Sequence, residues 1–203
     1  GQVAGSLEVD VRSRITGIIE QRHYKEGVQT RAGELMFSLD AAPFKAEYQQ
    51  ALAAIEIAKA QKVTAEAQLK QAQRELRRVT PLAQKQMVSQ NQLEDAESAV
   101  DIANAQKAVA EAAIKQAEAN LLTAAINLEY TQIKAPINGI AGRALFNRGA
   151  LVQAGSDSLL TKLVQTNPVH VNFGIPENDQ LRIRREIARG SLVLPETGFV
   201  VDL

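Results

Sequence analysis

Two long stretches of the chain carry apolar residues at alternating steps of four and three, which is the spacing of a coiled-coil seam. Larger side chains alternate with alanine in both stretches, and small side chains let two helices approach closely. The pattern predicts two helices, each roughly 55–60 Å long at about 1.5 Å per residue. The seam positions are Phe44, Tyr48, Ala51, Ile55, Ala58, Lys62, Ala65, Leu69, Ala72, Leu76 and Val79 in the first stretch, and Leu93, Ala96, Val100, Ala103, Lys107, Ala110, Ile114, Ala117, Leu121, Ala124 and Leu128 in the second.

A short connection joins the two predicted helices, so they run antiparallel as a hairpin. The chain has no glycine between Gly33 and Gly139, and Pro81 is the one proline near the centre of that run. Residues 70–85 are mainly basic and residues 94–101 mainly acidic. Cations at a helix end and anions at a helix start suit the helix macrodipole. The antiparallel arrangement also sets these two charged groups opposite each other.

The turn of the hairpin has local signals of its own. The stretch from Ser89 to Gln92 is a capping box, S-x-x-Q, which predicts that the second helix begins at Ser89. Val88, just before it, stands at the first position of a hydrophobic staple. Pro81 lacks an amide proton and disfavours helical backbone at Thr80. It therefore predicts a kink or a tightening in the last turn of the first helix, which we expect to end near residue 80.

Short strands and turns flank the hairpin on both sides. Leu7, Val9 and Val11 alternate with polar residues, which predicts a half-buried strand. The flanks also contain a split internal repeat, because VRSRITGII (11–19) aligns with IKAPINGIA (133–141). Such a repeat predicts two half-motifs that fold together, with the hairpin projecting from one β-domain. At the same offset of 122 residues, Gly17 matches Gly139, Gly27 matches Gly149 and Gly33 matches Gly155, and we expect these six glycines to mark the turns of the half-motifs.

The predicted fold class is therefore α+β and elongated, with a long antiparallel helical hairpin between the two halves of a β-sandwich. Residues 168–203 predict a further β-region with a strand at 169–175, a helix at about 177–188 and a strand at 198–203. The predicted division is a leading strand at 1–10, half-motif one at 11–40, the hairpin at 41–132 with its tip at about 80–89, half-motif two at 133–166, and the beginning of a further β-domain at 167–203.

Composition argues against several classes of function. The net charge is zero, which gives no support to a nucleic-acid partner, and the chain has no cysteine for a disulfide or a thiolate metal site. His23 and His170 are isolated, and Met36 and Met87 form no methionine cluster. No nucleophile–base pair or phosphate-binding loop is present. We therefore expect a protein that is not an enzyme and holds no metal or cofactor.

These features resemble one family, the periplasmic adaptor proteins, or membrane fusion proteins, of the HlyD superfamily. Two glycine-marked lipoyl-like half-motifs around a helical hairpin are typical of it, and the pattern is most similar to the adaptors of resistance-nodulation-division efflux pumps. The last of the three matching segments resembles the start of the family's β-barrel domain. They are VRSRITGIIEQRHYKEGVQTRAGELMFSLD, IKAPINGIAGRALFNRGALVQAG and NPVHVNFGIPENDQLRIR.

The family's tip signature, Arg-x3-Leu-x6-Ser, matches Arg78, Leu82 and Ser89. The resemblance implies that these residues dock on a TolC-type outer-membrane channel. Each also has a structural interpretation: Arg78 as a solvated side chain, Leu82 packed against Met87 or Val88 instead of exposed as an apolar anchor, and Ser89 as a helix cap. We expect Pro81, Val88 and Gln92 to shape the tip.

The resemblance also implies the wider assembly. The lipoyl-like and β-barrel domains would pack on an inner-membrane resistance-nodulation-division transporter, and the adaptor would form a ring, commonly of six copies, that seals a drug export conduit. The expected location is the periplasm of a Gram-negative bacterium, attached to the inner membrane. We expect the chain to be part of a longer protein, with its membrane-proximal domain and any membrane anchor in the missing ends. The sequence does not name the exported compounds.

Several alternatives stay open from the residues alone. Lys62 and Lys107 interrupt the seams, either with snorkelling ammonium groups or as lateral contacts between protomers that involve Glu66 or Glu111. A lipoyl or biotinyl carrier would need a modified lysine between the half-motifs, where this chain has the hairpin and Lys45 lies within a helix start. Two other candidates remain: a purely structural coiled-coil protein, and an adaptor of an ABC-type or major-facilitator exporter.

Overall fold

In the computed structural model, residues 2–155, 158–172 and 177–191 are described. They form an α+β fold in which two four-stranded sheets carry a long helical hairpin. The elements of these residues are β1 (Gln2–Arg12), β2 (Gly17–Arg22), β3 (Gln29–Thr30), β4 (Leu35–Leu39), α1 (Ala42–Gln84), α2 (Gln90–Tyr130), β5 (Gln132–Lys134), β6 (Gly139–Ala141), β7 (Leu151–Val152), β8 (Leu159–Asn172) and α3 (Glu177–Ala188).

The two sheets are built by exchange of strands between the half-motifs. One sheet has the order β1-β8-β6-β3 and the other the order β5-β4-β2-β7, with antiparallel pairing throughout the described strands. Strand β3 of the first half pairs with β6 of the second, and β7 of the second half pairs with β2 of the first. Neither half can complete its sheet alone, so the split repeat folds as one β-domain.

The backbone confirms the internal repeat at two of the three matched glycine pairs. The third pair, Gly17 and Gly139, does not lie at the predicted turns but begins β2 and β6; a β-carbon on Gly139 would lie 2.6 Å from the Val164 carbonyl oxygen, so close packing accounts for that glycine. Gly27 and Gly149 have φ values of 74° and 85°, and the Gly33 and Gly155 values are 84° and 115°. These are left-handed or related conformations that side-chain-bearing residues rarely adopt. The hydrogen bonds repeat as well, because the Gly27 amide donates to the Ala141 carbonyl while the Gly149 amide donates to the equivalent Ile19 carbonyl, each at 2.8 Å.

An apolar core lies between the two sheets. Met36 and Phe37 of β4 are fully buried, and the Phe37 ring packs edge-on against Tyr24 with 5.4 Å between the ring centroids. Both half-motifs contribute core residues, which ties their folding together. The buried cluster consists of Val11, Ile19, Tyr24, Met36, Phe37, Leu39, Ile133, Ala135, Ala141, Val152, Leu160 and Leu163.

Glu26 forms a polar link between the half-motifs outside that core. Its carboxylate accepts a hydrogen bond of 3.0 Å from the Ala144 amide and pairs with Arg22. The bond from the Ala144 backbone, followed by the contact with Arg22, lowers the pKa of Glu26 from its usual 4.5.

The hairpin is inserted between two neighbouring strands, β4 and β5. These strands pair directly, with Ser38 opposite Gln132, so both arms of the hairpin leave from the same end of this strand pair. The Asp40 carboxylate accepts from the Ala42 amide at 2.9 Å where α1 begins. At the other end, the Thr131 hydroxyl donates to the Leu128 carbonyl at 2.7 Å where α2 ends.

Burial along the hairpin confirms the predicted seam. In α1 the buried residues are Ile55, Ala58, Ala65, Leu69 and Val79, all of them predicted seam positions. In α2 they are the seam alanines Ala96, Ala103, Ala110, Ala117 and Ala124. The remaining seam positions of both helices are half-buried.

The structure corrects two predicted boundaries. Helix α1 does not end near residue 80 but continues through Pro81 to Gln84. The strand predicted at 169–175 is not separate over its described part, because β8 runs from Leu159 to Asn172 and pairs with β1; residues 173–175 lie outside the described residues. In β1, Val9 and Val11 are half-buried and buried as expected, whereas Leu7 is 46% exposed.

Helix α3 occupies the region where the sequence predicts a helix at about 177–188. The strand predicted at 198–203 lies outside the described residues. The start of a β-barrel domain at 167–203 stays a prediction.

Candidate functional site

The apex of the hairpin begins with a tight turn that ends α1. The Gln86 amide donates to the Ala83 carbonyl and the Met87 amide to the Leu82 carbonyl, both at 2.9 Å. This pair of bonds is a Schellman motif, and it requires a left-handed residue at Gln86, whose φ is 58°. Glycine usually takes this position, so a glutamine there is under conformational strain.

Helix α2 then begins with the predicted capping box. The Ser89 hydroxyl accepts from the Gln92 amide at 3.3 Å, and the Gln92 side-chain oxygen accepts from the Ser89 amide at 3.1 Å. Ser89 has an extended backbone, with φ −71° and ψ 154°, as a helix cap should. The structural interpretation of Ser89 is therefore confirmed, and its hydroxyl proton is still available to donate.

Pro81 is accommodated within the last turn of α1. It leaves the Arg77 carbonyl without the amide donor that a helix normally provides four residues later. The neighbouring Thr80 hydroxyl donates to the Leu76 carbonyl at 2.7 Å, which supplies an extra side-chain bond to this turn. The proline is exposed, so its ring faces solvent on the tip.

A shallow groove of about 440 Å³ runs between the two helices just below the apex. Four of the sequence-predicted residues line it, namely Arg78, Leu82, Val88 and Gln92. Ser89 and Pro81 are outside this lining. Glu75, Val79, Asp95, Ala96 and Ala99 complete it.

Leu82 is less exposed than its interpretation as an apolar anchor expects. It is half-buried in the groove with Val88, as its structural interpretation expects. The exposed apolar side chain at the apex is Met87, with 69% of its surface accessible.

Arg78 is held by a forked contact to an acid of its own helix. Its Nη2 lies 2.6 Å from the Glu75 Oε1, and its Nε lies 3.1 Å from the Glu75 Oε2. This hydrogen-bonded pair lowers the pKa of Glu75 and raises that of Arg78. The arginine side chain is still 69% exposed, and its Nη1 takes no part in the contact with Glu75.

The predicted attraction between the basic and acidic ends of the two helices takes a different form in the structure. Among the described residues, the ion pairs do not join residues 70–85 to residues 94–101, and Arg78 pairs within α1 instead. The basic residues still lie near the end of α1 and the acidic residues near the start of α2, where each charge suits the helix macrodipole.

Lys62 and Lys107 lie together at mid-hairpin, where they form what we call the charge quartet with Glu66 and Glu111. Lys62 approaches Glu111 across the seam at 3.1 Å, and Lys107 approaches Glu66 across it at 3.9 Å. Within each helix, the Lys62–Glu66 and Lys107–Glu111 distances are 3.9 Å and 3.8 Å. The expected acidic partners are thus found inside one hairpin; a lateral contact between protomers stays a prediction.

A second cavity, of about 470 Å³, lies at the base of the hairpin. Arg14 stacks on the Tyr130 ring, 5.0 Å from its centroid, and its Nη1 donates to the Tyr130 hydroxyl at 3.2 Å. These contacts tie the end of α2 to the loop after β1.

Within the described part of the chain, no cluster of three or more His, Cys, Asp or Glu residues is arranged to hold a metal. Over the same residues, no helix has both the length and the hydropathy of a membrane-spanning segment.

Three features of the tip were missed by sequence reasoning. Glu75 could have been identified, because it stands three residues before Arg78 on the same helix face. Met87 carries no sequence signal that separates it from a buried methionine. The left-handed backbone at Gln86 has no sequence signal, since glycine or asparagine usually marks such a position.

Comparison with known proteins places these features in one group. The protein-family model described as "RND MFP, barrel-sandwich hybrid domain" matches residues 7–163. Among curated proteins, the chain is 38% identical over 178 residues to the efflux pump periplasmic linker BepD of Brucella suis, covering 87% of this chain and 41% of that protein. It is 34% identical over 192 residues to the multidrug efflux pump subunit AcrA of Escherichia coli, covering 95% of this chain and 45% of that protein.

The chain therefore spans less than half the length of these curated relatives. Among solved structures, MacA from Actinobacillus actinomycetemcomitans superposes with a TM-score of 0.81 at 26% identity, covering 89% of this chain and 56% of that one. The periplasmic adaptor protein EmrA superposes with a TM-score of 0.53 at 14% identity, covering 88% of this chain and 78% of that one, which is a likeness of fold.

Proposed function

The chain belongs to the membrane fusion proteins of resistance-nodulation-division pumps, and from that premise we propose that it is part of a periplasmic adaptor for drug efflux. In this proposal it links an inner-membrane transporter of that class to a TolC-type outer-membrane channel. Its work is assembly and sealing of an export conduit for small molecules, without catalysis. The proposed location is the periplasm of a Gram-negative bacterium, with attachment to the inner membrane, by a lipid anchor, through parts of the protein beyond this chain.

The observation that carries the channel contact is the grouping of the tip signature at the apex. Arg78 and Leu82 line one groove, and Ser89 caps the helix that forms its other wall. The Arg78 side chain is 69% exposed, and the guanidinium donors that Glu75 leaves unbound are suited to carboxylates or carbonyl groups on a partner. A rigid turn on both sides of the apex holds these groups in place, which lowers the entropic cost of docking.

The ring of adaptor copies, which we propose has six members, is supported by the outer faces of the hairpin. Each helix repeats apolar and small residues at steps of three, four and seven on the face that its partner helix leaves exposed. Ile102 and Val109 on α2 are 60% and 70% exposed, and Ile57 on α1 is 61% exposed. A neighbouring hairpin with the same spacing could pack there as the two arms pack on each other. These stripes are Ala46, Ala53, Ile57, Ala60 and Ala67 on α1, and Ile102, Ala105, Val109, Ala112, Ala119 and Ile126 on α2.

The docking proposal is tested in cells with the full-length protein. Drug susceptibility and site-specific cross-linking of the tip to the channel are measured for Arg78→Asp and Leu82→Asp. Both variants should lose efflux and cross-linking together, because each places a carboxylate in the groove. Arg74→Asp is the matched control, since it makes the same charge change on the same helix outside the groove lining.

Adaptor abundance must be measured alongside, because Leu82 is half-buried and its replacement could also lower stability. If Arg78→Asp and Leu82→Asp both keep efflux and cross-linking at normal abundance, the tip is not the docking site.

A further inference from the structure

The charge quartet interrupts the seam in the middle of an otherwise apolar hairpin. Lys62 lies between the buried Ala58 and Ala65, and Lys107 lies between the buried Ala103 and Ala110. Both lysines occupy positions where the seam elsewhere places larger apolar side chains such as Leu69. The quartet therefore replaces one large apolar layer of the coiled coil.

The apolar layer on the base side of the quartet is closely packed. Ile55, Ala58 and Ala117 form a buried cluster there, with Ile114 and Leu121 packed against it. In the quartet, by contrast, the four side chains are 35–43% exposed, and three of the four charged contacts are 3.8–3.9 Å long. Half-exposed ion pairs of this length stabilise little compared with a buried apolar layer.

The groups that face the quartet come from the two helices alone, since among the described residues α2 contacts only α1 and, at its base, β5. Lys62 and Glu66 face it from α1, and Lys107, Glu111 and Lys115 from α2. The hydrogen bond from Lys62, then the charges of Lys62, Lys107 and Lys115, lower the pKa of Glu111. Its ionised form therefore contributes stability above the usual pKa of 4.5, and that stability is lost as the pH falls through the lowered value.

We propose that the charge quartet is a joint at mid-hairpin, where α1 and α2 separate and their backbone hydrogen bonds open locally while the apolar layers on both sides stay closed. The joint opens more often than its flanks at neutral pH and more often still in acid, when Glu111 loses its charge and Lys62 loses that partner across the seam. This inference rests on the hairpin itself and not on the proposed channel contact.

Amide hydrogen exchange followed by mass spectrometry tests the joint in the purified protein. At neutral pH, residues 59–66 and 104–111 should be less protected than the seam layers on either side. In Lys62→Leu/Lys107→Leu, which completes the apolar seam, exchange at these two segments should slow by roughly tenfold or more. Lys59→Leu is the matched control, because Lys59 pairs with Glu56 on the exposed face of its own helix and should leave both segments unchanged.

A second double variant, which weakens the quartet instead of replacing it, keeps the test valid if the leucine variant changes how the protein associates. Glu66→Gln/Glu111→Gln keeps side-chain shape but removes the pairing, so both segments should exchange roughly tenfold faster at neutral pH and lose their additional acid sensitivity. Protection that falls smoothly from base to tip, without a minimum at the quartet, would overturn the proposal. So would a leucine variant whose exchange slows equally along the whole hairpin, since that result makes the quartet an ordinary weak layer.

Discussion

Among the described residues, Gln86 is the non-glycine residue with a left-handed backbone. Its φ of 58° closes the turn after α1, and a non-glycine residue loses about 1–2 kcal/mol in that conformation. Gln86→Gly should therefore stabilise the hairpin by about 1 kcal/mol. Gln86→Ala should bring no such gain, because alanine keeps the β-carbon. Chemical denaturation of the three proteins measures the difference, and equal stability of the glycine variant and the natural chain would contradict the strained turn.

Ser89 has two roles that different substitutions can separate. Ser89→Ala removes the acceptor for the Gln92 amide and should cost about 0.5–2 kcal/mol of unfolding free energy. Ser89→Asp also caps a helix well, so it should keep most of the stability. Cross-linking to the channel then isolates the second role. If Ser89→Asp docks normally, the hydroxyl is needed only as a cap; if it folds but does not dock, the hydroxyl contacts the partner.

Some features of the tip could be predicted from the sequence and others could not. The capping box at Ser89 was predictable because all its bonds lie within four residues of chain. The exposure of Leu82 and Met87 was not, because it depends on how far α1 continues past Pro81 and on the turn that follows. A proline in the last helical turn loses a single backbone hydrogen bond, which the surrounding contacts can offset.

At the scale of one helix, the alanine seam sets how closely the two arms approach. Ala117 is 7% exposed and packs with Ile55 and Ala58, so Ala117→Leu should force the helices apart. We expect a loss of about 1–3 kcal/mol, as for other overpacked cores. Ala119→Leu is the matched control, since Ala119 lies on the exposed face of the same turn. Thermal unfolding compares the two, and an equal effect of both substitutions would contradict the seam.

The elements were predictable to the extent that they carry a long period or a repeat. The helices extend over about six heptads of consistent spacing, so their faces follow from the sequence alone. Strands β3 and β7 contain two residues each, too few to show any period. Their pairing with the opposite half-motif depends on contacts far apart in the chain, which the glycine repeat indicates without specifying.

At the scale of the whole molecule, the hairpin is an insertion into the β-domain and not a part of its core. Leu39 and Thr131 are adjacent, and the Leu39 amide donates to the Thr131 carbonyl at 2.8 Å. Replacing residues 40–130 by Asn-Gly should give a two-residue turn between β4 and β5. We expect the shortened protein to fold and to unfold cooperatively in thermal denaturation, because the buried cluster lies outside the deleted segment. A shortened chain without a cooperative transition would show that the β-domain depends on the hairpin.

The insertion of the hairpin between paired strands has a consequence for distance. Both arms leave from the same end of the β4–β5 pair and meet at one turn. Adding the same number of residues to each arm therefore changes the reach of the tip and leaves the β-domain unchanged. Seven residues added to each arm would extend it by about 10 Å and keep every seam position in phase. The length of the hairpin can thus change in steps of one heptad, and the number of heptads in its two arms fixes the distance that a protein of this design can span.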